Sequence, residues 1–259
     1  MSSEISDPIV DKIIEKFDTF GINSHSLPNA IGMWPEEQEC FVWTALQANP
    51  NTEWIEIGSF CGGSAVLLGL AREYLPCITY SNGVGTPDEY CKIYCVDLQF
   101  NEMFDRNIKR FAPSKRPFKI QCNSRDLGSQ YFYKKIGLLF IDGFHSYKQA
   151  MTDFLVMEQK LSDDAFVMLH DVSPYIYDEE YLKNKFQYTM DNLDDLVEDK
   201  NENFKLDEVV SYLVYNRKYE LIKPPIWKLG SHLQETGLTE WKRGTTSPFN
   251  SLAILRKTI

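Results

Sequence analysis

The sequence predicts a single α/β domain, a mostly parallel seven-stranded sheet with helices on both faces. Three observations carry this. Short apolar runs alternate with stretches of helical periodicity along most of the chain. The run "IGLLFIDG" is apolar at odd and even positions alike, as a strand covered on both faces should be. The first strand-like run, "EWIEIGS", leads directly into glycines, which let the next helix start tightly against a sheet.

The elements follow in order. "PIVDKIIEKFDTFG" has apolar residues at helical spacing and Gly21 as a stop. "WPEEQECFVWTALQAN" is a second helix, with Pro35 in its first turn and acids behind it. Together they form an N-terminal helical cap over residues 1–50. A core over residues 51–172 then alternates: strand "EWIEIGS", helix "GGSAVLLGLAREYL", strand "KIYCVDL", helix "FDRNIKRFA", strand "FKIQCNS", strand "IGLLFIDG", helix "SYKQAMTDFLVMEQKL" and strand "AFVMLHDV". The tyrosine-rich, acidic residues 173–205 read as an inserted helical lid. Residues 206–259 supply the helix "LDEVVSYLVYN" and two last strands, "YELIK" and "SLAILRK", which pair antiparallel at the end of the sheet.

Composition narrows the function. The formal net charge is −10, which disfavours a nucleic-acid backbone or an anionic membrane as partner. The basic stretch "RNIKRFAPSKRPFK" reads as a solvated helix end and loop. No run approaches the roughly 18 apolar residues of a membrane span, and the acidic start "MSSEISDPIVDKIIEKF" lacks the basic region of a signal peptide. The 6 cysteines include no CxxC pair, and Cys91 and Cys95 have no second pair at zinc-ligand spacing. Reduced thiols point to a cytoplasmic protein. The expected partner is a small-molecule acceptor, with a homo-oligomer left open.

The chemistry begins at "WIEIGSFCGGSAVLLGLARE". The order is E-x-G-x-x-x-G-x-S, from Glu56 through Gly58 and Gly62 to Ser64. This is not the dinucleotide pattern GxGxxG, which aims a helix N-terminus at a pyrophosphate. An acid before the turn repels phosphate and suits a cationic ligand. The stretch resembles motif I of class I S-adenosylmethionine-dependent methyltransferases. Asp97 ends the second strand, where an acid can accept both hydroxyls of a ribose. Glu56 and Asp97 are further apart than is common for such pairs, with "YLPCITYSNGVGTPDEY" as the excess. The segment "LLFIDGFHSYKQAMTDF", followed by "AFVMLHD", is similar to small-molecule and sugar O-methyltransferases related to the macrolide-sugar enzymes and the cephalosporin-biosynthesis methyltransferase-like protein. Asp142, Gly143, His145, Tyr147, Asp153 and Asp171 carry that likeness, which spans about residues 30 to 172.

The resemblance implies a Rossmann-like methyltransferase fold that uses S-adenosylmethionine to methylate an oxygen of a small polar metabolite, a sugar among the candidates. Glu56 and Gly58 would bind the cofactor, Glu56 through water or by orienting the loop. Ser59, Phe60 and Cys61 would line it through their backbone, with Ser64 closing the motif. Asp97 would hold the ribose and Ser124, after the third strand, the adenine side. Asp142 and Asp171 end neighbouring strands, which lie about 4.8 Å apart. Two carboxylates that close repel unless a positive group sits between them. A divalent cation answers this, with oxygen ligands favouring magnesium, calcium or manganese. The family's third ligand, an acid or amide beside the second aspartate, is here His170. The metal set is therefore Asp142, His170 and Asp171. In the alternative, Asp142 bonds the amino end of the cofactor and no metal is held. His145 or His170 would accept the acceptor's hydroxyl proton, and His145 could instead cap the helix or orient the cofactor. Asp153, two helical turns beyond His145, reads as bonding a neighbouring loop. Thr245, Thr246, Ser247 and Asn250 could bond a polyol or form a plain turn. Three rival readings remain: a binding or regulatory domain without turnover, a nicotinamide-dependent oxidoreductase, which the missing GxGxxG disfavours, and a methyltransferase acting on protein or nucleic acid.

Overall fold

A computed structural model describes residues 7–18, 33, 35–75, 92–111, 113, 115–127, 132, 134–198, 205–226 and 251–258. The stretch 76–91, residues 199–204 of the expected lid, and Thr245, Thr246, Ser247 and Asn250 lie outside the described residues.

Two helices open the described chain, α1 (Pro8–Asp18) and α2 (Pro35–Gln47). The core follows as β1 (Glu53–Ile57), α3 (Gly63–Tyr74), β2 (Ile93–Asp97), α4 (Glu102–Phe111), β3 (Phe118–Gln121), β4 (Ile136–Ile141), α5 (Tyr147–Glu158) and β5 (Leu161–Leu169). Then come α6 (Glu179–Asp191), α7 (Leu193–Glu198), α8 (Leu206–Asn216), β6 (Tyr219–Leu221) and β7 (Ala253–Lys257). The 7-stranded sheet has the order β3-β2-β1-β4-β5-β7-β6. All pairs from β3 to β5 are parallel, and β7 is antiparallel to both β5 and β6.

Strand alternation divides the interior in two. Ile55, Ile57, Leu139, Ile141, Val167 and Leu169 face one side, where α5, α7 and α8 cover them. Trp54, Leu138, Phe140, Phe166 and Met168 face the other, against α1, α2 and α3. Each such side chain, taken fully out of water, contributes about 1.5–3 kcal/mol. The N-terminal helices are thus part of one helical layer. Arg72 of α3 is buried, stacks 4.3 Å over the Trp54 ring, and donates to the carbonyls of Pro50 and Thr52. It pins the entry to β1.

One expectation changes. The last core strand starts earlier and stops at Leu169, so His170 and Asp171 lie just beyond it. Asp171 takes a left-handed φ of 60, which turns the chain out of the sheet. No described residue of the 173–205 segment lines the cleft described below, although the Lys205 N–H donates to the His145 carbonyl at its edge at 3.0 Å. The segment packs into the core through Leu182 and Leu196. Tyr177 donates to the Leu252 carbonyl at 3.0 Å, and Tyr181 to Asp207 at 2.6 Å.

Candidate active site

The chain builds β1, β2 and β3 outward in one direction and then returns to add β4 and β5 on the other side of β1. The crevice at that reversal, beyond the carboxyl ends of β1 and β4, is where open α/β sheets bind ligands. A cleft of about 760 Å³ opens there. Gly58 permits it. Its φ is +91, and a Cβ would sit 2.1 Å from the Asp142 carbonyl oxygen. The β1 turn therefore lies against the end of β4 by backbone alone. Gly62 caps α3 with a φ of 76, and a Cβ there would strike the Phe104 ring at 2.6 Å.

Glu56 is fully buried beneath this turn and is not among the cleft-lining residues. It accepts hydrogen bonds from the hydroxyls of Ser59 (2.8 Å) and Ser64, and from the Cys95 thiol (3.1 Å). Burial pushes its pKa up to about 7, although these three donors oppose the shift. Of the two roles expected for Glu56, the geometry fits the second, orienting the loop.

Asp97, at the end of β2, accepts the Phe60 N–H at 2.9 Å and the Gln99 N–H at 3.1 Å. The Phe60 carbonyl in turn accepts from Asn101 at 3.3 Å, and the Cys61 carbonyl from Asn107 at 2.9 Å. Phe60, Leu98 and Phe144 line the cleft and expose large apolar surfaces. At the β3 side, Ser124 begins a short turn and bonds Asp153 of α5. Gln149 donates to Asp153 at 2.7 Å and to Ser124 at 3.2 Å. Burial pushes the Asp153 pKa up to about 6 against those two donors. Asp153 thus bonds a neighbouring loop, as its spacing suggested. No lysine or arginine is among the described residues lining the cleft, whereas Asp97, Asp142 and Asp153 are.

Behind Asp142 and His145, which line the cleft, the acids and histidines meet. His170 Nδ1 lies 3.1 Å from Asp142 Oδ1 and 3.7 Å from Asp171 Oδ1. Its Nε2 lies 3.3 Å from Oε2 of Glu37, a residue of α2. His145 Nδ1 is 3.3 Å from Asp171 Oδ2, and its Nε2 is 3.5 Å from Asp142 Oδ1. Burial opposes charge on both rings, yet their carboxylate neighbours prevail: the His145 pKa is raised and that of His170 stands well above its ordinary value. Burial likewise opposes ionisation of Asp142, but the His170 charge and the contacts with both histidines hold its carboxyl below the usual range. Donor atoms of Asp142, His170 and Asp171 all lie within 4.8 Å of one another, close enough to share one ion.

Residues 55–172 match a family model described as a methyltransferase domain. No curated protein matches the chain. Among solved structures, it is similar to the Podospora anserina methyltransferase PaMTH1 bound to S-adenosylhomocysteine, at 11% identity over 100% of this chain and 91% of that one, with a TM-score of 0.52. It is also similar to a Bacillus cereus O-methyltransferase in complex with S-adenosylhomocysteine, at 10% identity over 98% and 92% of the two chains, with a TM-score of 0.50. At these identities the likeness establishes the α/β fold.

Within the matched segment, Gly58, Ser59, Phe60, Cys61, Ser64, Asp97, Ser124, Asp142 and His145 all line the cleft. The hydroxyls of Ser59 and Ser64 are engaged by Glu56. His170 is set back from the cleft at 4% exposure, with a carboxylate at each ring nitrogen. Sequence reasoning missed Leu98, Phe144, Gln149 and, above all, Glu37. The signal for Glu37 was present: it shares a helical stripe with Cys40, Phe41, Thr44 and Ala45, all buried. An acid on an apolar stripe needs a buried partner.

Among the described residues, no helix is long and apolar enough to cross a membrane. Cys40, Cys61, Cys95 and Cys122 are not in disulfides. Cys77 and Cys91 lie outside the described residues.

Proposed function

We propose that this protein transfers the methyl group of S-adenosylmethionine to a hydroxyl oxygen of a small polar metabolite, with a sugar as one candidate. The observation that carries the reading is the cleft itself. It joins Asp97, at the end of β2, to apolar surfaces and further acids, with no lysine or arginine among its described lining residues. That lining fits a cationic nucleoside without phosphates and does not fit a dinucleotide.

The residues present fit the cofactor. Asp97 would accept the ribose hydroxyls while holding Phe60, and Leu98 with Phe60 would cover the base from the exposed side. Ser124, Asp153 and Gln149 would face the adenine edge, and Asp142 would sit toward the amino end. When bound, the cofactor supplies a methyl on a sulfonium, whose carbon–sulfur bond breaks as the acceptor oxygen forms its bond to the methyl carbon. His145 lines the cleft; Asp171 would orient its ring through Nδ1 while Nε2 takes the hydroxyl proton.

A divalent cation also fits the residues present. Asp142, His170 and Asp171 offer two oxygens and one nitrogen around a common point. A cation there would lower the pKa of the acceptor hydroxyl and orient it.

Titration calorimetry with S-adenosylmethionine and S-adenosylhomocysteine, with and without magnesium or manganese, tests the reading. Micromolar binding supports it and opens an acceptor screen. Binding with no turnover on any acceptor favours the regulatory-domain reading. No binding under any metal condition overturns the proposal.

A further inference from the structure

Glu37 is 0% exposed and lies on α2, 133 residues from His170 in sequence. One carboxylate oxygen, Oε2, faces His170 Nε2 at 3.3 Å. The other, Oε1, accepts from the backbone N–H of Ser251 at 2.6 Å and from its hydroxyl at 2.5 Å. One side chain thus ties the N-terminal helix to the end of β5 and to the entry of β7. A fully buried carboxylate needs such donors. They also fix its direction, and with it the plane of the imidazole.

This direction matters for what the second ring nitrogen can do. A histidine that ligates a metal characteristically donates its other N–H to a carboxylate, which sets the tautomer and the orientation of the ring. Here Nε2 is directed at Glu37, and Nδ1 is directed at Asp142 and Asp171.

We infer that Glu37 is a positioning residue for a divalent cation, holding His170 by Nε2 so that Nδ1 joins Asp142 and Asp171 as a nitrogen ligand. The inference rests on the cation reading proposed above and extends it in two ways. It assigns a function in the site to the N-terminal helices, outside the matched segment 55–172. It also changes the expected metal: one imidazole among carboxylates moves preference from magnesium toward manganese, iron, cobalt or zinc. On loading, the Nδ1 proton leaves to solvent, as ligation requires.

The test is cation binding by the full chain, read by manganese electron paramagnetic resonance and by calorimetry with manganese and magnesium chlorides. Wild type should bind manganese more tightly than magnesium. Glu37→Ala should weaken manganese about 10–100-fold, the usual effect of removing such an outer partner. Glu37→Gln keeps an oxygen that can accept from Nε2 and should fall between the two. Thermal melts establish that each variant is folded; if Glu37→Ala is not, Glu37→Gln and a spectroscopic readout carry the test. In ¹⁵N spectra of zinc-loaded wild type, Nδ1 of His170 should be the ligated nitrogen and Nε2 should stay protonated. Ligation through Nε2, magnesium preferred over manganese, or unchanged affinity in folded Glu37 variants overturns the inference. Failure of any cation to bind overturns it together with the cation reading. S-adenosylhomocysteine binding by metal-free wild type is a separate measurement, so loss of the methyltransferase reading is distinguishable from loss of this one.

Discussion

Oδ2 of Asp97 accepts the backbone N–H of Phe60 at 2.9 Å, across 37 residues of sequence. One carboxylate at the end of β2 thereby holds the tip of the turn after β1. Phe60 has a φ of 38, unusual for a bulky residue. The acid that would bind a ribose is therefore also the acid that shapes the loop beside it.

Asp97→Ala should remove both functions. S-adenosylhomocysteine affinity, measured by calorimetry, should fall at least tenfold. Stability should fall by only about 0.5–1.5 kcal/mol, since this hydrogen bond is exposed and water can replace the lost acceptor. Affinity equal to wild type would separate Asp97 from the cofactor.

Gly58→Ala meets a harder limit. The added Cβ would lie 2.1 Å from the Asp142 carbonyl oxygen, at a φ of +91 that L residues rarely adopt. A loss of more than about 2 kcal/mol is expected from strain and forced displacement. Urea unfolding checks this, and an unchanged midpoint would show that β1 and β4 can separate at little cost.

Glu56 predicts a pH dependence. Its folded pKa is about 7 against an ordinary 4.5, with burial as the main cause. Between those values the folded state binds more protons than the unfolded state, so stability falls as pH rises through the window. Below it both states are protonated, and above it both are ionised. The contribution is on the order of 3 kcal/mol. Asp153, raised to about 6, adds a change of the same sign. Glu56→Gln should flatten the dependence and narrow the gap between urea midpoints at pH 5 and pH 8. A slope identical to wild type would place the titration elsewhere.

His145→Gln separates chemistry from binding. With an acceptor in hand, turnover should fall about 10²–10⁴-fold. The cofactor should still bind, because Asp97 and the glycine turn are untouched. Full activity in this variant would move the proton to another group or to solvent.

The candidate site was largely readable because strand ends are readable. An apolar run that stops at a glycine or an acid marks where a buried strand meets the crevice, and Gly58, Asp97 and Asp142 each do so. Leu98 and Phe144 were not readable by this rule. An apolar residue just past a strand reads as more strand, and only its exposure shows that it faces the cleft. The boundary of β5 was misplaced for a related reason. "LHDV" continues the apolar pattern, whereas the turn at Asp171 is set by backbone conformation.

By itself, the sequence determined the alternation of strands and helices, the glycine turn, and the acids that end β2 and β4. These follow from local periodicity and from backbone needs within a few residues. The tertiary structure decided which side chains share a space. It turned the Ser59 and Ser64 hydroxyls toward Glu56 beneath the loop. It packed Leu182 and Leu196 of the 173–205 segment into the core. It brought Glu37 of the N-terminal helix against His170. The physical reason is that a buried charge is tolerable only beside a compensating partner, and that partner is chosen by the packing of whole elements, to which no local pattern refers.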